Sequence, residues 1–130
     1  MPSFLAGITV GVIILQTMVF APTLFRTLEM PHAGKLLRAL FPKFFLLVAF
    51  LGLATLLSTF LSRDGSTAQA ILAGVTVLLP LICRVLVPIT NRATDAGDTA
   101  RFKQLHTLSV VLTLVVLGSN IAIPLLPAAG

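Results

Sequence analysis

The chain alternates long apolar runs with short polar intervals. Four stretches carry no charged side chain: 2–25, 44–62, 65–83 and 107–130. Each reaches or approaches the ~20 residues that a helix needs to cross a ~30 Å hydrocarbon core. The pattern predicts an all-α membrane protein. It forms one domain, 1–130, built as an antiparallel bundle of four transmembrane helices near 3–25, 32–61, 67–92 and 99–126. Pro31 suits the first turn of a helix, where its missing N–H is not needed, so helix 2 begins near His32. Its first turns are amphipathic, with Lys35 and Arg38 toward water and Leu36, Leu37, Leu40 and Phe41 toward the apolar side. Pro42 bends helix 2 where it enters the bilayer, and Pro80 and Pro88 bend helix 3. Kinks are therefore expected in helices 2 and 3. Asp98 or Thr99 caps the start of helix 4.

Composition agrees with this pattern. The chain is 57% hydrophobic and 10% charged, with a mean hydropathy of +1.07. A soluble domain averages about 45–50% apolar and about 25% charged. The first apolar run lacks a basic leader segment and is too long for a cleaved signal peptide, so a retained helix is expected. Between helices 1 and 2 stand Arg26, Lys35, Arg38 and Lys43; between helices 3 and 4 stand Arg84, Arg92, Arg101 and Lys103. The remaining loop has Arg63 alone. The positive-inside rule then puts both basic loops in the cytoplasm, with both termini outside a plasma (inner) membrane. It also accounts for the net charge of +5, and no nucleic-acid partner is expected. The single cysteine, Cys83, excludes an internal disulfide and a multi-cysteine metal site.

The two halves carry a weak repeat: at a fixed offset Pro22 falls on Pro88, Arg26 on Arg92, Glu29 on Asp95 and Lys35 on Arg101. Two hairpins of the same orientation would form a parallel repeat.

Most of the unusual chemistry lies between Arg84 and His106. Arg84, Pro88, Asn91 and Asp95 step i, i+4, i+7, i+11 and share a helical face. His106 begins the next helix, and Arg26 lies at the matching depth after helix 1. A charge facing the interior without a partner is costly, so an inward Arg84 would pair with Asp95 or Asn91. These residues are expected to form one polar cluster of Arg26, Arg84, Asn91, Asp95 and His106 that binds or gates a polar solute or ion. The alternative is a structural ion-pair cluster tying loop 3–4 to loop 1–2. Deeper polar residues, Gln16, Thr76 and Asn120, could line a solute path or simply hydrogen-bond across helices. His32, His106, Met30 and Cys83 have nondescript spacing, and no metal or other cofactor is expected.

Phe25-Arg26-Thr27-Leu28, Gly34 and Leu40-Phe41-Pro42, followed by Pro88, Asn91, Asp95, Phe102, Leu105-His106 and Ser109, form a pattern. It resembles the transmembrane-protein-205-like family of small integral membrane proteins. That family often has Asn four residues after the Ser, where this chain has Thr113. The resemblance implies four membrane helices and supplies no activity.

No Asp or Glu lies inside an apolar run, and there is no Walker motif, GxGxxG or Ser-His-Asp order. No enzyme is expected. Two functional classes remain. The favoured one handles a small solute or ion through the cytoplasmic cluster. The other is a non-transport accessory or assembly subunit of a larger membrane complex, in contact with lipid headgroups through Lys35, Arg38 and Lys43. A water-accessible cavity reaching Gln16 or Asn120 favours the first; a dry, filled bundle favours the second. Gly7 and Gly11 have the spacing that lets helices approach closely, so a homo-oligomer among membrane lipids is expected.

Overall fold

The computed structural model describes residues 1–128. Helix α1 (Pro2–Ile14) continues through a π-helical stretch (Leu15–Phe20) into α2 (Ala21–Thr27), making one rod. Then come α3 (Met30–Leu61), α4 (Thr67–Asp95) and α5 (Thr99–Ala122), which closes in a 3₁₀ turn (Ile123–Leu125). These make four helical segments long and apolar enough to cross a membrane. The α1 rod packs on α3 and α5, α3 packs on α4, and α4 packs on α5. The result is a closed ring of four antiparallel helices around one apolar centre.

Short connections enforce the antiparallel order. Leu28 and Glu29, both extended, turn α2 into α3, and Pro31 then sits in the first turn of α3. Ser66 opens α4 with a reciprocal capping box: its hydroxyl accepts from the Gln69 N–H while the Gln69 amide oxygen accepts from the Ser66 N–H. At the other end of α4, Gly97 adopts a positive φ of 69°. Its N–H reaches the Thr94 carbonyl at 3.1 Å and the Asp98 N–H reaches the Ala93 carbonyl at 3.0 Å. This double bond pattern ends a helix cleanly. Asp98 at once caps α5, its carboxylate accepting from the Arg101 N–H at 3.1 Å.

The buried faces follow the helical period. Pro2, Ala6, Thr9, Ile13 and Gln16 are buried on the α1 rod; Gln69, Ala73, Thr76, Pro80 and Cys83 are buried on α4. Both sets step i, i+4, i+7, i+11, i+14, a single inward stripe. Ile13, Phe44, Phe45, Val48, Cys83 and Val116 meet at the centre. Large apolar side chains such as Phe50, Phe60, Ile71 and Leu114 point outward, as a lipid-facing surface requires.

The α-helix continues through Pro42, Pro80 and Pro88, although each lacks the N–H that would bond the carbonyl four residues earlier. One feature was not expected from the sequence. A stretch that leaves α geometry lies in the first rod, directly before Pro22. Pro22 has no N–H for the preceding turn, and the Ala21 N–H reaches back five residues to the Gln16 carbonyl, so the turn widens there. The two halves of the weak repeat thus differ: a π stretch precedes Pro22, while α-helix continues around Pro88.

A close backbone approach joins α3 to α4. A Cβ at Gly52 would lie 2.7 Å from the Thr76 carbonyl carbon and 2.8 Å from its oxygen. No side chain fits there without parting the two helices. Gly52→Ala is therefore expected to lose about 1–3 kcal/mol, the range for overpacking a filled core. Gly74→Ala, where a Cβ meets nothing within 4 Å, is expected to lose none. Denaturant unfolding of the two variants in the same detergent checks the contrast.

Candidate functional site

Polar chemistry divides between the interior and one end of the ring. Inside, most hydroxyls turn back on their own helices. Thr9, Thr55, Thr59, Thr76 and Ser119 each donate to the carbonyl four residues earlier. Two amides cross between helices. Asn120 Nδ2 on α5 donates to Thr76 Oγ1 on α4 and to the Val116 carbonyl, both at 2.8 Å. Gln69 Nε2 on α4 donates to the Ile123 carbonyl at 3.1 Å. The residues read from sequence as lining a solute path, Thr76 and Asn120, are in direct contact with each other. Among the described residues, two buried side-chain atoms lack a hydrogen-bond partner: Gln16 Nε2 and Asn120 Oδ1.

The cavity at the centre is lined by Ile13, Phe44, Phe45, Val48, Pro80, Cys83, Thr113 and Val116 and measures about 10 Å³. That is at the lower limit for one water molecule, and most of the lining is apolar. A larger recess of about 230 Å³ lies at the end away from the basic residues, against Ser3, Asp64, Gly65 and Gln69. Both amide ends of Gln69 are already bonded.

At the basic end, the one salt bridge among the described residues joins Arg38 on α3 to Asp95, the last residue of α4. It is bidentate, with Nη2 to Oδ1 at 2.5 Å and Nη1 to Oδ2 at 3.1 Å. Both side chains are exposed. The Gly97 turn ends α4 at this point, and Arg38 lies within the amphipathic first turns of α3, so each partner is set by its own helix end.

The structure therefore divides the five residues singled out from sequence. Asp95 takes Arg38, not Arg84. Arg84, His106 and Arg26 are exposed, Asn91 is half-buried, and no hydrogen bond links any of them to another of the five. The reason is rotational. Arg84, Asn91 and Asp95 do share a face, as their spacing requires, and the Asp95 bond fixes that face on the α3 side of α4. Cys83, one residue earlier and about 100° round the helix, turns to α5 instead, with its sulfur 3.9 Å from the Ser109 carbonyl. His106 belongs to α5 and stacks on Phe102 one turn before it, ring centroids 5.6 Å apart and 11° from parallel. The pairing of Asp95 with Arg84 is thus corrected to Arg38–Asp95, and the bond between loop regions 1–2 and 3–4 is real. Sequence reasoning missed Arg38 because it placed that side chain toward headgroups. No group of three His, Cys, Asp or Glu that could hold a metal occurs among the described residues.

Residues 4–99 match the family described as a domain of unknown function (DUF4149). The chain belongs to this family. No curated protein and no solved structure matches it. The DUF4149 match takes in Arg26, Arg84, Asn91 and Asp95, the Arg38 partner and the Gly97 turn, and stops at the start of α5. His106 and Asn120 lie beyond it.

If Arg38–Asp95 is a lock between helix ends, its charges are interchangeable. Arg38→Glu or Asp95→Arg alone should lower the unfolding midpoint, modestly because exposed pairs are weak. The double exchange should recover most of the loss. Unfolding curves at low and high salt test this, and the single-variant deficit should shrink as salt screens the like charges.

Proposed function

We propose that the chain is a non-enzymatic accessory or assembly subunit of a larger membrane complex. The observation that carries this reading is the filled interior. Six apolar side chains meet at the centre, the void among them is about 10 Å³, and the free cations stand outside the ring. A protein of this form offers surfaces, not a conduit. Its basic end would lie in the cytoplasm of a plasma (inner) membrane, with both termini outside, by the excess of Lys and Arg at that end. Glycines 7 and 11, beside which a Cβ would meet nothing within 4 Å, leave the α1 rod open to a second copy. The family would be of the transmembrane-protein-205-like kind, on the motifs around Arg26, Pro42 and Pro88.

Handling of a small solute or ion is the second reading. Its specific support is the pair of buried polar atoms without partners, Gln16 Nε2 and Asn120 Oδ1. Buried polar atoms normally find a partner, and a solute or water in transit would supply one. The π stretch that carries Gln16 is of a type frequent at functional sites.

A native gel of membranes dissolved in a mild detergent separates the two. The accessory reading predicts that the 13.8 kDa chain migrates within a larger assembly of fixed composition. Migration as a lone chain, together with flux of a solute or ion into vesicles of the purified protein, would overturn it in favour of transport.

A further inference from the structure

Arg84 combines three properties that the lock at Asp95 does not use. First, it is exposed and has no carboxylate partner among the described residues. Secondly, its depth is particular. It lies 17 residues along α4 from Thr67, about 26 Å at 1.5 Å per residue, and ends the charge-free run. Counted from Thr67 at one edge of a ~30 Å hydrocarbon core, its Cα is about 4 Å short of the other edge, from which a long side chain snorkels to the lipid phosphates. Asp95 stands about 16 Å farther out. Thirdly, Pro88 follows four residues later and has no N–H. The Arg84 carbonyl is thereby denied its α-helical donor. One residue thus presents a guanidinium lacking an anion and a carbonyl lacking its helical donor.

The ring fixes where this pair points. Thr76 faces the interior, touching Gly52 of α3 and Asn120 of α5. Arg84 is about 80° round α4 from Thr76, on the side where Asp95 meets α3. It lies at the lipid-facing mouth of the α3/α4 seam, away from α5. Lys43 gives the comparison. It lies at nearly the same depth on α3, 18 residues from Leu61 or about 27 Å. It is also about 180° round α3 from Gly52, so it faces away from the seam.

We propose that the α3/α4 seam at Arg84 binds the headgroup of an anionic glycerophospholipid. The guanidinium holds the phosphate through charge-assisted bonds. The freed Arg84 carbonyl accepts a hydrogen bond from a headgroup hydroxyl, as a glycerol headgroup provides. This goes deeper than the accessory reading, on which it rests only for the bundle being a surface and not a conduit. Lipid binding is measured on the isolated protein, so it can fail while the gel result stands, and the reverse.

The test is native mass spectrometry of the purified protein in detergent, titrated with phosphatidylglycerol, phosphatidylcholine, or glycerol phosphate as the soluble counterpart. The unaltered chain should retain phosphatidylglycerol at least about tenfold better than phosphatidylcholine, one order of magnitude being about 1.4 kcal/mol, and should not retain glycerol phosphate. Arg84→Gln should lose that preference, Arg84→Lys should keep part of it, and Lys43→Gln should keep all of it. Circular dichroism of each variant confirms the helical fold, and the surface position of both residues makes folding robust. Equal losses in Arg84→Gln and Lys43→Gln would overturn the site in favour of diffuse attraction by the basic end. Retention of glycerol phosphate as tight as that of the lipid would overturn the lipid as its occupant.

Discussion

The contact of Gly52 with the Thr76 backbone is the constraint on which the ring depends. Between helices in lipid there is no hydrophobic driving force, and association rests on close packing and a few interhelical hydrogen bonds. The absence of a side chain at Gly52 lets α3 and α4 come together at the level of Thr76. The same Thr76 receives the Asn120 amide from α5. Three of the four helices are therefore held at one level by a close backbone contact on one side and a hydrogen bond on the other. Such a bond contributes roughly 1 kcal/mol in a membrane, so close packing along the seam supplies most of the cohesion.

From that level the interior fills toward the basic end with Ile13, Phe44, Phe45, Val48, Cys83 and Val116. Hydroxyls of the interior donate to their own helices. No charged side chain is among the buried residues described, and most cations gather at one rim, where Asp95 locks to Arg38. The other cations there form no salt bridge among the described residues. Packing thus produces the function-bearing asymmetry: a closed centre, a lipid-facing flank and a cationic end.

The sequence made four helices legible because charge-free runs of about 20 residues are strong signals. Helix starts were readable too, at Pro31 and Asp98, because caps are local chemistry. The π stretch before Pro22 was not legible. Proline announces a lost hydrogen bond but not whether the turn before it widens: a π stretch precedes Pro22, while α-helix continues around Pro42, Pro80 and Pro88. The candidate site was half legible. Spacing alone places Arg84, Asn91 and Asp95 on one face, and they are on one face. Which helix that face meets depends on rotation within the ring, which no local pattern encodes. Hence Asp95 found Arg38, while Arg84 and His106 ended on different flanks. Asn120 and Thr76 were read as able to hydrogen-bond across helices, as they do, but not as each other's partner, since 44 residues separate them.

A dry centre distinguishes a filled bundle from a conduit, and Cys83 reports on it directly. Its side chain is 1% exposed and lines the central cavity. The measurement is its labelling in lipid vesicles by a charged, water-soluble thiosulfonate reagent, against a reference cysteine at the exposed rim position Gln104→Cys. The account predicts that Gln104→Cys labels promptly while Cys83 stays unmodified until the bundle is unfolded. Labelling of Cys83 at the rim rate in the folded protein would mean that water reaches the centre, and would contradict the account.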